Sequence, residues 1–218
     1  MKKYFFTMIM AFFLFACDKS DTGVENSDDF SGNSGTFIDN RDGREYNWVK
    51  IDGLIWMAEN LAFDTGEDCW IYEEIEGNLD KFGRLYSISS ALSAVPDGWH
   101  LATNSEWEFL ANYVNDIKGP FEHSEVKWEE IGRFLKSKSD WSDNANGNDE
   151  FGINLQPGGW FDSDELIWEY SGASGNWWTA TITGDRYIVK EVRWAHSLFR
   201  TYNVDPTGNA YSVRCIKN

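Results

Sequence analysis

The second half of the chain is divided into short apolar runs by closely spaced Gly, Asp, Asn and Pro residues, and this spacing limits the available folds. Each run is shorter than an average helix but has the length of a strand bounded by turn residues. The predicted strands are residues 151–155, 160–161, 166–170, 177–183, 187–194, 198–202 and 211–216. Short strands joined by short turns favour antiparallel sheets.

A three-stranded meander is predicted at the start of the folded part. Residues 37–38 and 46–51 are strand-like runs on either side of Asp42-Gly43, a pair that tolerates the positive φ of a tight turn. A second turn at Asp52-Gly53 leads into a third strand over residues 54–58. The sequence therefore predicts two consecutive hairpins.

Three helices are predicted between the meander and Trp141. Apolar residues at helical spacing indicate one helix over residues 85–95, which Pro96 ends, and a weaker one over residues 128–135 with Glu129 and Arg133 as an exposed pair. Between them, Thr103 and Glu106 have the spacing of a capping box, in which each side chain bonds the other residue's amide. Helices followed by short strands predict an α+β fold with antiparallel sheets.

The first sixteen residues have the parts of an export signal: two lysines, an apolar run and a cleavage site. The site, Leu14-Phe15-Ala16-Cys17, resembles the lipobox of bacterial lipoproteins. That resemblance implies cleavage before Cys17 and acylation of its thiol and amine, and more than one acyl chain anchors a protein stably to a membrane. The alternative is an ordinary signal in which Cys17 is incidental. Residues 17–35 are predicted to be the lipidated Cys and a flexible acidic stalk, because residues 18–35 are polar and acidic.

Charge restricts the partners of the mature chain. The whole chain has a net charge of −17, and removing residues 1–16 takes away two lysines and no acid. Such a surface repels phosphate backbones, so nucleic acid is not an expected partner, and membrane contact is expected only through the lipid anchor. Residues 36–218 are predicted to form one domain with its own core.

Two cysteines remain after Cys17. In an exported protein Cys69 and Cys215 are compatible with one disulfide, and equally with two free thiols.

Seven ordered segments carry a family resemblance: VKIDGLIWMAENL, FGRLYSISSAL, PDGWHLATNSEWEFL, GRFLKSKSDW, FGINLQPGGW, NWWTAT and YSVRCIKN. Together they resemble the Fibrobacter succinogenes major paralogous domain, a family of exported, often lipid-anchored proteins, over residues 36–217. More distantly, GWHLATNSEWEFL is similar to a segment of formylglycine-generating-enzyme-like domains, which have the C-type lectin-like fold. The resemblance implies a loop-rich α+β domain with its ends close together, and it favours the outer membrane as location, facing the periplasm or the cell surface.

Motifs for catalysis and for cofactors are lacking. A formylglycine-generating oxidase needs paired cysteines near its C-terminus, where this chain has only Cys215, and the related iron enzymes need several histidines. His100, His123 and His196 lack metal-ligand spacing, and His100 is interpreted as a hydrogen-bonded core residue. The chain has no phosphate-binding or dinucleotide-binding motif, so no cofactor is expected.

One loop has residues suited to a metal ion. The polar loop of residues 143–150, from Asp143 to Glu150, offers oxygen ligands for Ca²⁺, but it departs from the EF-hand pattern and is interpreted as a solvated turn. The sequence therefore predicts no metal site.

Aromatic side chains are the best candidates for ligand contact. Trp160, Trp168, Tyr170 and Trp194 lie in or beside the loops of the second half, where their rings either stack on a ligand or pack in the core. Trp177 and Trp178 should face opposite sides of a strand, one of them in the core and the other open to exposure. We therefore expect a non-enzymatic binding or adhesion module for a glycan or a protein partner. The alternatives are a metal-dependent enzyme related to formylglycine-generating enzymes and a purely structural surface protein.

Overall fold

The computed structural model describes residues 28–195 and 197–218, so the predicted signal and Cys17 lie outside the described residues. The helices are α1 (Glu76–Phe82), α2 (Ile88–Ser93), α3 (Asn104–Lys118) and α4 (Gly132–Leu135). The strands are β1 (Ser34–Asp39), β2 (Arg44–Ile51), β3 (Leu54–Met57), β4 (Cys69–Ile71), β5 (Arg84–Tyr86), β6 (Trp99–Leu101), β7 (His123–Ser124), β8 (Lys127–Trp128), β9 (Trp160–Asp162), β10 (Ile167–Glu169), β11 (Ser174–Thr183), β12 (Arg186–Arg193), β13 (Phe199–Val204), β14 (Asn209–Ala210) and β15 (Cys215–Lys217). None of the described helices combines the length and apolar character needed to span a bilayer.

The predicted α+β class is confirmed. Two five-stranded antiparallel sheets have the orders β1-β2-β3-β15-β6 and β11-β12-β13-β8-β7, and the two smaller sheets are β10-β9-β14 and β4-β5. The meander prediction is also confirmed, since β1, β2 and β3 are joined by turns in which Gly43 and Gly53 have φ of 78° and 86°. The last strand, β15, lies between β3 and β6, so both ends of the domain belong to one sheet.

Residues before the predicted domain boundary at residue 36 are part of the first sheet. Ser34 and Gly35, assigned to the stalk, lie in β1 opposite Val49 and Trp48. Phe30 packs further upstream, with its ring centroid 5.2 Å from that of Trp48. Its aromatic ring was the one large apolar side chain in an otherwise polar segment, and its contact with the core holds residues 28–35 against the domain.

The long middle helix was predicted correctly. α3 begins after Thr103, whose hydroxyl accepts from the Glu106 amide at 3.3 Å, while the Glu106 carboxylate accepts from the Thr103 amide at 2.7 Å. Its buried face carries Trp107, Leu110 and Val114. The capping box therefore correctly indicated that a helix starts after Thr103 and continues toward the C-terminus.

The two flanking helices are shorter than predicted. Leu85 lies in β5, and α2 covers only Ile88–Ser93, because Ser87 caps a new helix start by accepting from the Ser90 amide. In the third segment Trp128 lies in β8 and the helix is limited to α4. Arg133 pairs with Glu130 at 3.4 Å instead of with Glu129. In both segments, the residues that were predicted to start the helix pair with another strand instead.

The predicted strands of the second half are largely confirmed. Five of the seven predicted runs coincide for most of their length with β9, β10, β11, β12 and β13. Residues 151–155 form no strand, although Leu155 makes an isolated bridge to Lys136, and residues 211–216 overlap only β15 at Cys215 and Ile216. Whether these two segments form strands depends on pairing with distant residues, which local sequence patterns do not specify.

Strand β11 separates two hydrophobic cores. Trp177 belongs to a cluster that includes Trp107 of α3, and Trp178 belongs to a second cluster with Tyr46 and Trp99. The two rings face opposite ways as predicted, but the expectation that one would be open to exposure is wrong: both are fully buried. Both faces of this strand are covered, as in a central layer.

Candidate functional site

Two of the four predicted ligand-contact residues are packed against other rings. Trp168 stacks on Phe161 with centroids 4.1 Å apart, and its other neighbour is Tyr72 at 5.4 Å. Trp160 lies 6.1 Å from Tyr211 and is half-buried. For these two tryptophans the core-packing alternative describes the structure better.

The other two lie together at the surface. Tyr170 is 57% exposed and Trp194 is 38% exposed. Both are tied to Ala173: its amide donates to the Tyr170 carbonyl at 2.9 Å, and its carbonyl accepts from the Trp194 amide at 2.8 Å. The turn between β10 and β11 therefore brings the two exposed rings to the same end of the second five-stranded sheet.

A small pocket lies next to the backbone that carries these rings. It has a volume of 230 Å³ and is lined by Glu191, Arg193, Leu198 and Arg200. Arg193 lies opposite Ser174 in the β11–β12 register and directly precedes Trp194, and Ser174 follows Ala173, so the segments that carry Tyr170 and Trp194 adjoin the pocket. Its volume is below the roughly 300–1,000 Å³ of sites for drug-sized ligands, so it suits a single small chemical group.

The pocket is built around a buried carboxylate between two arginines. Arg193 Nε donates to Glu191 Oε1 at 2.7 Å, and Arg200 Nε donates to Glu191 Oε2. The hydrogen bond to Glu191 is the main reason why the pKa of Arg193 is raised, and Tyr202 and Tyr170 add to it in smaller measure. Burial raises the pKa of Tyr202 well above its usual value, so its hydroxyl stays protonated and donates to Asn176.

This pocket was not predicted from the sequence, although one local signal for part of it exists. Glu191 and Arg193 are two residues apart on β12, so alternation places them on one face of the strand. Arg200 joins them because it lies opposite Glu191 on β13, and that register is a long-range property which the sequence alone does not specify.

The family-like segments converge elsewhere, on a buried polar network. Arg214 donates to the side chain of Asn60 at 2.7 Å and to that of Gln156 at 3.2 Å, and Trp177 also donates to Asn60, at 2.8 Å. Arg214 also donates to the carbonyls of Met57, Ile153 and Asn154. Residues from four of the seven segments thus fix one another in the interior, which gives them a structural role.

A larger groove, of 960 Å³, lies between β1, β2 and residues 149–154. It contains none of the predicted ligand-contact residues. Three of its charged side chains are engaged within the protein: Lys50 donates to the Phe30 carbonyl, Glu150 pairs with Lys118, and Asp149 accepts from the Asn154 amide. The small pocket is the stronger candidate because two arginines line it and the exposed rings are on the adjoining backbone.

The polar loop of residues 143–150 uses its oxygens to hold its own backbone. The Asn146 side chain accepts from the Trp141 amide at 3.0 Å, and the Asp149 side chain accepts from the Asn154 amide at 2.7 Å. Within residues 28–195 and 197–218, no group of three or more His, Cys, Asp or Glu side chains is placed to hold a metal ion.

Of the two open cysteine alternatives, the structure has the free thiols. Cys69 lies in β4 and its thiol donates to Asp64 at 3.4 Å, whereas Cys215 is fully buried in β15. Burial raises the pKa of the Cys215 thiol, which disfavours the reactive thiolate.

His100 is hydrogen-bonded as predicted, but it is not a core residue. Its ring nitrogens lie 2.7 Å from Glu106 Oε1 and 2.7 Å from Asn218 Oδ1, and its side chain is half-exposed. It therefore connects the start of α3 to the end of the chain.

Comparison with family models gives one match. The model of the Fibrobacter succinogenes major domain matches residues 49–217, a segment that contains both the buried network and the arginine pocket. No curated protein and no solved structure gives a significant match. Because the matched segment covers well over half of the chain, this chain belongs to the Fibrobacter succinogenes major domain family.

Proposed function

We propose that this protein is a non-enzymatic binding module of the cell envelope that holds a glycan at the surface formed by Tyr170, Trp194 and the adjoining pocket. The observation that carries the proposal is the exposure of two aromatic rings beside a pocket with charged hydrogen-bonding groups. Such rings stack on the apolar faces of sugars, and polar groups beside them orient the hydroxyls.

A binding role fits the chemistry of the described residues better than an oxidase role. The cysteine nearest the C-terminus, Cys215, is buried with a raised pKa, whereas a copper-binding oxidase site needs accessible, ionised thiols. Arg214, at the centre of the interior polar cluster, is fully buried, and its donors are bonded to carbonyl and amide oxygens.

We also propose that the fold is C-type lectin-like. The two ends of the domain lie in one antiparallel sheet, since β1 and β15 share it and Lys217 Nζ lies 5.3 Å from the Phe30 ring centroid. Close ends and a loop-rich second half agree with what the resemblance to formylglycine-generating-enzyme-like domains implies. A solved structure of the protein, compared by topology with lectin-like domains, would test the assignment.

The membrane anchor at Cys17 is a further part of this proposal. It rests on the Leu14-Phe15-Ala16-Cys17 sequence at the end of the apolar run. We expect intact mass measurement of the mature protein to show cleavage before Cys17 and the added mass of acyl chains, and Cys17→Ser to leave the precursor uncleaved. An unmodified Cys17 in the mature protein would contradict the anchor and, with it, the proposed attachment to the outer membrane.

Glycan binding is tested with the mature protein on a glycan array. We expect binding to at least one class of glycan, and Trp194→Ala and Tyr170→Ala should each weaken it several-fold through loss of stacking. Phe109→Ala is the matched control, because Phe109 is a similarly exposed aromatic residue on α3, away from this surface. Equal binding by all four proteins would show that the ligand surface lies elsewhere.

A protein partner is the second candidate function, and one observation favours it. Leu166 and Ile167, just before Tyr170 in the chain, are exposed large apolar residues, and exposed apolar clusters often mark protein interfaces. Cross-linking on intact cells, with the wild type and a Leu166→Ser/Ile167→Ser variant, would identify such a partner. A cross-linked species that the double variant loses, together with a silent glycan array, would favour this function over the first.

A further inference from the structure

The two arginines of the pocket have terminal N–H groups that they do not use to bind Glu191. A guanidinium has five N–H donors, and in the part of the chain that the structure describes both Arg193 and Arg200 contact Glu191 through Nε only. Their side chains are 52% and 38% exposed, whereas that of Glu191 is 4% exposed. The buried carboxylate therefore holds the two guanidiniums in place, and their terminal Nη groups remain available.

We propose that this pocket binds the carboxylate of an acidic sugar, so that the glycan held at this surface is a polymer or oligomer containing uronic acid residues. This inference rests on the proposed function and names its ligand class. Planar guanidinium donors match the two oxygens of a carboxylate, and charge-assisted bonds of this kind are about twice as strong as neutral ones.

The balance of charge in the pocket points to one carboxylate. Two arginines and Glu191 leave one net positive charge, which a single carboxylate neutralises. The whole chain has a net charge of −17, so long-range attraction does not bring an anion to this protein. Recognition must come from short-range bonds in the pocket, which makes it selective for an anion of the right shape.

The surroundings suit a sugar that carries the carboxylate. Leu198 provides an apolar wall in a volume of 230 Å³, enough for one small group, and the exposed residues Tyr170 and Trp194 lie on the backbone that adjoins it. A sugar unit with its carboxylate in the pocket would have these rings as stacking surfaces for its own face or its neighbour's.

The test compares two forms of one probe. The mature protein is titrated calorimetrically with oligogalacturonate and with the same oligomer after methyl esterification, which removes the charge but keeps the sugar. We expect the acidic form to bind at least about tenfold more tightly. Arg193→Gln and Arg200→Gln should each weaken binding of the acidic form about tenfold and leave the ester unaffected, and Arg200→Lys should have an intermediate effect.

Arg186→Gln is the matched control. Arg186 lies at the other end of β12, has a side chain 52% exposed, and pairs with Asp205 through Nε. This variant should bind both forms like the wild type. Each variant is first checked for folding by urea denaturation. If a Gln substitution prevents folding, Arg200→Lys still tests the site, because it keeps the positive charge and removes the guanidinium.

The outcomes separate the two proposals. Equal binding of the acidic and esterified forms, with loss in Trp194→Ala, would overturn the carboxylate pocket and leave glycan binding in place. A preference for the acidic form that survives both Arg→Gln substitutions would also overturn the pocket. Silence of both forms, together with a silent glycan array, would overturn the proposed function and this inference together.

Discussion

Two fully buried cations, Arg214 and Lys190, occupy very different surroundings. Arg214 donates to five oxygens of backbone and amide groups, whereas Lys190 has one hydrogen bond, to the Thr201 hydroxyl at 2.6 Å, and faces the rings of Trp128 and Phe199. Burial without a contacting carboxylate lowers the pKa of both, to about 9 for Arg214 and about 8 for Lys190. The difference in bonding predicts opposite effects of removing them.

Arg214→Met should be strongly destabilising. The substitution leaves the buried carbonyls of Met57 and Ile153 without their guanidinium donor, and Asn60 Oδ1 keeps only the bond from Trp177, so we expect a loss of about 3–5 kcal/mol. Urea denaturation measures this free energy of unfolding. Arg186→Met is the control, because that arginine is exposed, and its change should stay within about 0.5 kcal/mol. Similar losses in the two variants would contradict the structural role of the network.

Lys190→Met should be more stable than the wild type at pH 7, by a margin that shrinks as the pH rises. In the wild type the folded-state pKa of Lys190 is about 8 and its usual value is 10.5. Between these values the unfolded chain holds more protons than the folded one, so wild-type stability increases with pH. Relative to Lys190→Met, the free energy of unfolding of the wild type should rise by about 2 kcal/mol between pH 7 and pH 9.5, since each pKa unit corresponds to about 1.4 kcal/mol.

The measurement is urea denaturation of both proteins between pH 7 and pH 9.5. Burial raises the pKa of the Tyr86 hydroxyl and of the Cys215 thiol, so ionisation of these groups in the unfolded chain lowers stability as the pH rises above about 8.5. Both proteins share this effect, so the difference between their stability profiles reports Lys190. Parallel stability profiles for the wild type and Lys190→Met would show that the amine has an ordinary pKa in the folded protein.

Among the elements, α3 depends most clearly on a local sequence signal. Thr103→Ala removes the hydroxyl that accepts from the Glu106 amide, and loss of such a cap costs about 1 kcal/mol. Thr103→Ser keeps the hydroxyl and should cost only a fraction of that. The free energies of unfolding of the two variants, from chemical denaturation, check the prediction, and equal losses would mean that the cap contributes little.

Local patterns predicted elements whose signals are contained in a few consecutive residues. The β1–β2 turn at Gly43 and the capping box at Thr103 are examples, and both are where the sequence placed them. The starts of α2 and α4 were wrong because Leu85 and Trp128 pair with distant strands, and helical periodicity does not register such pairing.

The candidate site likewise combines residues that local sequence signals indicate with residues that long-range strand pairing brings together. Sequence offered Trp160, Trp168, Tyr170 and Trp194 alike as ligand-contact candidates, with core packing as the alternative. It could not separate the exposed Tyr170 and Trp194 from Trp160 and Trp168, which pack on Tyr211 and Phe161. The arginine pocket depends on the β12–β13 register, so it was not predicted.

At the scale of the whole molecule, the start of the domain is the feature most open to test. Phe30→Ala should lower the free energy of unfolding by about 2 kcal/mol, less than for a fully buried Phe, because the ring is half-buried against Trp48 and Trp99. A chain that begins at residue 36 should lose more, since it also lacks the strand partners Ser34 and Gly35.

Thermal or urea denaturation compares these proteins with Phe109→Ala, whose exposed ring should matter little. A chain starting at residue 36 that is as stable as one starting at residue 28 would restore the boundary expected from composition. Residues 28–35 would then pack on the sheet without adding to the stability of the domain.

The adjacent indoles of β11 have a consequence for folding fidelity. In most sheets a one-residue slip is prevented because it would turn apolar side chains toward water. Trp177 and Trp178 are buried on opposite faces, so a slip by one residue would put one indole in the place of the other and move the second into the buried place of Asn176 or Thr179. Exposure of apolar side chains to water therefore opposes such a slip less than it does in most strands. The correct alignment is also marked by polar contacts: Trp177 donates to the Asn60 side chain and Trp178 to the Tyr86 carbonyl. These two hydrogen bonds help to specify the register of β11, because a slip would break both of them.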